Sequence, residues 1–96
     1  MHDLAYKVMC ERLLDAGLLI GDLEAMAKAN VGAVLMPHGL GHLLGIDTHD
    51  VGGYPPGTSR DERDGFKALR MQRVLEHGMV LTVEPGVYFT PYCLEC

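Results

Sequence analysis

Met36-Pro-His-Gly-Leu-Gly-His-Leu-Leu-Gly-Ile-Asp-Thr-His49 decides how this chain is read. It gathers His38, His42 and His49 in a stretch rich in glycine and apolar residues and free of lysine and arginine. Imidazole nitrogens in such a setting suit a divalent metal or a substrate oxygen. On a helix, His38 and His42 would share a face and chelate one ion, as in the zincins. Pro37, Gly39 and Gly41 argue against helix, and no glutamate follows His38, so that arrangement fails. In a turning backbone one ring can bind metal while the other meets substrate. The glycines beside His42 are expected to supply positive φ and a close backbone approach.

Working outward, the next informative residue is Glu84, in Met79-Val-Leu-Thr-Val-Glu84-Pro-Gly86. Residues 79–84 predict a strand, and alternation places Glu84 on the face of Thr82 and Val80. A carboxylate ending an apolar strand needs a cation or hydrogen bonds to offset its desolvation, unless it lies in solvent at an exposed strand end. For one histidine, a buried ring bonded to a backbone carbonyl is the ordinary expectation. Three histidines with Glu84 in the pattern favour chemistry. Arg70 can offer a guanidinium fork to a carboxylate, although Arg60, Arg63 and Arg73 are equally available by sequence.

The rest of the chain supplies the frame. Leu4, Ala5, Val8, Met9, Leu13, Leu14 and Leu18 follow a helical period and predict a helix over 3–16, with Gly17 past its end. A second helix is expected over Leu23–Ala29, with Asp22 as N-cap and Asn30 and Gly32 as the stop. Ala33–Met36 reads as a short buried strand ended by Pro37. Residues 39–57 form a long glycine-rich loop, and loops of that length are usually functional. The charged run 58–67 is expected on the solvated surface, and a further strand starts at 87–89. Two N-terminal helices followed by short strands give an α+β class. The first helix starts without a capping signal and the last strand stops close to Cys96, so residues 1–96 are expected to be a fragment truncated at both ends.

Composition excludes several classes. The 96 residues are 48% hydrophobic and 22% charged, with net charge −5, as in globular chains. No basic stripe points to nucleic acid, no apolar run reaches membrane-span length, and the N-terminus lacks a secretory h-region. Cys10, Cys93 and Cys96 are too few and too unevenly spaced for a disulfide framework and fit a reducing, cytoplasmic setting. Cys93-Leu-Glu-Cys96 has CxxC spacing, but it stands without a second pair.

Residues 36–55, with Gly78-Met-Val-Leu-Thr-Val-Glu-Pro-Gly-Val-Tyr88, resemble the prolidase (Xaa-Pro dipeptidase) branch of the pita-bread metallopeptidases, which also include methionine aminopeptidase, aminopeptidase P and creatinase. The resemblance runs over most of residues 4–89. It implies a partial pita-bread fold with short antiparallel strands. His42 and Glu84 then correspond to metal ligands, and His38 and His49 to histidines that contact substrate and stabilise the tetrahedral intermediate. Glu84 is also the implied proton shuttle, and Arg70 matches the arginine that binds the dipeptide carboxylate. Two divalent ions are implied, usually Mn2+, with Zn2+ or Co2+ possible, activating water against the scissile carbonyl.

The same resemblance places two aspartate ligands before residue 1 and a last glutamate after Cys96, with no motif around Glu95 to make it that ligand. The expectation is therefore an Xaa-Pro dipeptidase by descent, homodimeric when complete, whose isolated chain is inactive. The alternatives are an aminopeptidase P-like or creatinase-like hydrolase, a non-catalytic truncated partner subunit, and a histidine-based metal-binding module.

Overall fold

The computed structural model describes residues 1–91 and Leu94. Through residue 90 its helices are α1 (His2–Asp15), α2 (Leu23–Lys28) and α3 (Val31–Leu35), followed by a 3-10 turn at Phe66–Ala68. Helix α1 ends as its glycine requires. Gly17 has φ +77°, its N–H donates to the Leu14 carbonyl, and the Leu18 N–H donates to the Leu13 carbonyl. That pair of bonds is the Schellman arrangement. Asp22 caps α2, its carboxylate accepting from the Ala25 N–H at 3.2 Å.

The buried stripe of α1 is only in part the one periodicity marks, with Ala5, Met9, Leu13 and Leu14 half-buried beside it. Leu4 and Val8 face solvent, whereas His2, Tyr6 and Cys10 are buried, one turn apart. Tyr6 anchors this face by donating its hydroxyl to the Met36 carbonyl at 2.8 Å. Around it pack Ala33, Met36 and Phe66, with Ala5, Met9 and Leu69 at the margin. The rings of His2, Tyr6 and Phe66 meet at centroid separations of 4.3 to 5.2 Å, in tilted or edge-on contact. Phe66 corrects the expectation that 58–67 is all solvated surface. Burying its ring is worth about 2 kcal/mol, enough to pull one residue of a charged run inward.

Ala33–Met36 is not the expected strand. Residues 31–35 are helical, entered through Asn30 in the left-handed conformation at φ 56°. The cause lies in packing: a Cβ at Gly32 would overlap the Tyr6 ring, so α3 presents its smallest residue to α1.

The expected strands are likewise reduced. Among the described residues the only bridge is antiparallel, Leu43 with Leu81. Around it, extended segments 40–44 and 80–84 exchange three main-chain bonds: Leu44 N–H to Val80 O, Thr82 N–H to His42 O, and Glu84 N–H to Leu40 O, at 2.6–3.0 Å. The ladder is half made, because the His42 N–H donates instead to the Thr82 hydroxyl at 3.1 Å. Residues 87–89 lie outside any strand, tied by the Tyr88 N–H to the Leu35 carbonyl at 2.8 Å.

Gly39, Gly41 and Gly45 do not take positive φ. They serve close approach only, a Cβ at Gly41 colliding with the Thr82 carbonyl and one at Gly45 with the Asp50 carboxylate. Cys93, Cys96 and Glu95 lie outside the described residues.

Candidate active site

The half-made ladder brings the histidine loop to the segment that ends in Glu84. His42 is buried, at 7% exposure, beneath this pairing. Its Nδ1 lies 2.8 Å from the Leu43 carbonyl oxygen, an acceptor only, so Nδ1 carries the proton and donates it. Its Nε2 faces Glu84 Oε2 at 3.1 Å. In a neutral ring both facing atoms then carry lone pairs. A cation shared between them, proton or metal, reconciles the contact. Fixing one imidazole nitrogen on a backbone carbonyl so that the other presents its lone pair is the usual support of a metal-ligating histidine.

Glu84 stands at the exposed end of its segment, its side chain 54% accessible. It is not merely solvated, because the Thr82 hydroxyl donates to Oε2 at 2.8 Å. That bond is the main reason its carboxyl sits below the usual range. His42, His38 and His49 add to the effect and partial desolvation opposes it. Thr82 and Glu84 share a face, as alternation required.

The other three candidates line the same cleft, which encloses about 540 Å3 between Pro37, Gly41, Pro85 and Tyr88. The His49 ring meets that of His42 edge-on, 4.4 Å between centroids. Desolvation lowers the His49 imidazole pKa, with Arg70 and His42 acting in the same direction and Glu84 against them. Neither His49 nitrogen has a hydrogen-bond partner among the described residues. His38 is differently placed. Its Nδ1 donates to the Gly39 carbonyl at 2.8 Å, so its Nε2 accepts from the Tyr88 hydroxyl at 3.0 Å. Tyr88 is the cleft residue that sequence missed, since it reads as an ordinary strand aromatic.

Structure separates the arginines that sequence cannot rank. Arg60 donates to the Lys67 and Leu69 carbonyls and covers the Tyr54 ring. Arg63 forks onto Asp61 and lies over Phe66. Arg73 holds the Gly52 carbonyl and Glu76. Arg70 alone of the four reaches the cleft, its guanidinium unpaired among the described residues. Among those residues, no group of three His, Cys, Asp or Glu side chains is arranged to hold a metal ion. No helix of the described residues is long and apolar enough to cross a membrane.

Comparison with known proteins gives three results. The profile of metallopeptidase family M24 matches residues 1–93. The Xaa-Pro dipeptidases of Homo sapiens and Rattus norvegicus are each 55% identical over 95 residues, covering 99% of this chain and 19% of their own length. A probable Xaa-Pro aminopeptidase of Botryotinia fuckeliana is 47% identical over 95 residues, again 99% of this chain and 20% of that protein. The chain thus spans about one fifth of the length of the relatives it matches.

Proposed function

Because this chain belongs to metallopeptidase family M24, we propose that it carries the His42–Glu84 part of a metal-dependent peptidase cleft that hydrolyses Xaa-Pro dipeptides. The observation that carries this reading is the contact of His42 Nε2 with Glu84 Oε2 at 3.1 Å, in a cleft that also holds His38, His49 and Arg70. Divalent metal held by these two residues, Mn2+ in first place and Zn2+ or Co2+ as substitutes, would supply Lewis-acid polarisation and a more acidic water.

The chain's own residues divide the remaining work. Arg70, unpaired, receives the free carboxylate of the dipeptide. His49, with both nitrogens available, donates to the oxygen on which charge develops. Glu84 carries the proton from the attacking water toward the leaving imino nitrogen. His38 stands as an acceptor toward Tyr88, so it donates to substrate only after its Nε2 takes up a proton.

Two ligands of the five that the prolidase resemblance implies lie in this chain. The isolated chain is therefore inactive in this reading, and the complete enzyme is a homodimer of the reducing cytoplasm. The similarity to an Xaa-Pro aminopeptidase supports a second reading, in which the substrate is longer than a dipeptide. Calorimetric titration of the chain with Mn2+ tests the core of the proposal. His42→Ala and Glu84→Gln should each abolish the binding, and Arg70→Met should weaken uptake of Gly-Pro while leaving Mn2+ binding intact. Unchanged Mn2+ binding by both ligand variants would overturn it, and comparing Gly-Pro with a longer Xaa-Pro peptide on the complete enzyme separates the two readings.

A further inference from the structure

We propose that Thr82 is a positioning residue that aims the Glu84 carboxylate at the ion it shares with His42; the inference rests on the shared-cation reading above. The Thr82 hydroxyl stands between the two groups. It accepts from the His42 main-chain N–H at 3.1 Å and donates its single proton to Glu84 Oε2 at 2.8 Å. The His42 carbonyl, at 3.4 Å, is the poorer acceptor for that proton. A regular antiparallel pair would have sent the His42 N–H to the Thr82 carbonyl. Here the side chain takes that bond, while the Thr82 N–H still donates to the His42 carbonyl at 2.8 Å. One hydroxyl therefore fixes the backbone that bears the imidazole and the rotation of the carboxylate opposite it. Oε2 keeps one lone pair on Thr82 and turns the other toward Nε2.

The test compares Mn2+ affinity, by calorimetry on the full chain, with thermal stability measured without metal. Thr82→Val keeps the shape and removes the hydroxyl, and Thr82→Ser keeps the hydroxyl. The valine variant should lose about 10- to 100-fold in Mn2+ affinity, the usual effect of removing a group that orients a metal ligand. The serine variant should stay within about threefold of the parent on the same scale. Valine within that threefold, or serine falling as far as valine, overturns the proposal. If valine does not fold, Thr82→Ala also lacks the hydroxyl and is judged by the same limits. Glu84→Gln keeps the two readings apart: if it binds Mn2+ as the parent does, or the parent binds none, the metal reading of the shared cation fails and Thr82 falls with it. Loss in Glu84→Gln with full affinity in Thr82→Val rejects Thr82 alone.

Discussion

The Tyr88 hydroxyl lies 3.0 Å from His38 Nε2 and is the donor in that bond, because His38 Nδ1 already gives its proton to the Gly39 carbonyl. Gly86 makes the contact possible: a Cβ there would stand 2.7 Å from the Tyr88 oxygen. Tyr88→Phe should leave the chain folded, at a cost of about 0.5–1 kcal/mol for one lost hydrogen bond. The imidazole 15N spectrum of His38 should then move at Nε2 while Nδ1 stays protonated. A spectrum indifferent to the substitution would show that Tyr88 does not hold the ring.

Gly41 carries the closest approach between the two segments that build the cleft. An alanine there must displace the Thr82 carbonyl, which is main chain and cannot swing aside. Overpacking of this kind costs about 1–3 kcal/mol. Gly41→Ala should shift the urea midpoint down accordingly and reduce Mn2+ uptake at the same time. A variant with parent stability and parent binding would refute the arrangement.

Alkaline pH probes the core through Tyr6. Burial, with Asp3 adding to it, pushes the Tyr6 phenol up to about 12 from its ordinary 10.0. The folded state therefore holds this proton more tightly than the unfolded state. Its contribution to stability is complete below about pH 10 and disappears as pH rises toward about 12. Unfolding followed by circular dichroism should show this loss in the parent. Tyr6→Phe should lack it, while losing about 1 kcal/mol at neutral pH for the Met36 carbonyl left without its donor.

Acid pH probes His2. Its Nδ1 accepts from the Leu40 N–H at 3.2 Å, and its buried Nε2 has no partner. Desolvation lowers its pKa below 6.5, outweighing the opposite pull of Asp3. The folded state therefore favours the neutral ring. The stabilisation is present above about pH 6.5 and is lost as pH falls through the lower folded value. His2→Asn, whose amide oxygen can stand in for Nδ1, should flatten this acid slope. An identical slope in the variant would assign it to other groups.

His38, His42, His49 and Glu84 stood out in sequence because glycine and proline punctuate their surroundings and the histidines recur at short intervals, whereas Arg70 did not separate from the other arginines and Tyr88 went unmarked. All five candidates line one space, and their chemical roles are matters for the tests above. What stayed hidden was set by contacts between distant residues. Ala33–Met36 is an apolar run too short for its period to separate strand from helix, and the fit of Gly32 against Tyr6 decided it. Phe66 sits among charges that mask its burial. In α1, polar and aromatic residues outcompeted Leu4 and Val8 for the interior, because Tyr6 has a carbonyl to bond and Leu4 does not. The strand expected at 79–84 kept its alternation but only half its ladder, since two facing donors, the Leu40 and His42 amides, turned to side chains.

The Leu40 peptide is gripped from both sides, its N–H by His2 and its carbonyl by the Glu84 amide. One partner stands 38 residues upstream, and the His42–Thr82 bond next to it spans 40. Closures that long cost entropy before they return any contact. No short peptide cut from this sequence can reproduce the cleft. It exists only once residues 40–44 have met residues 80–84.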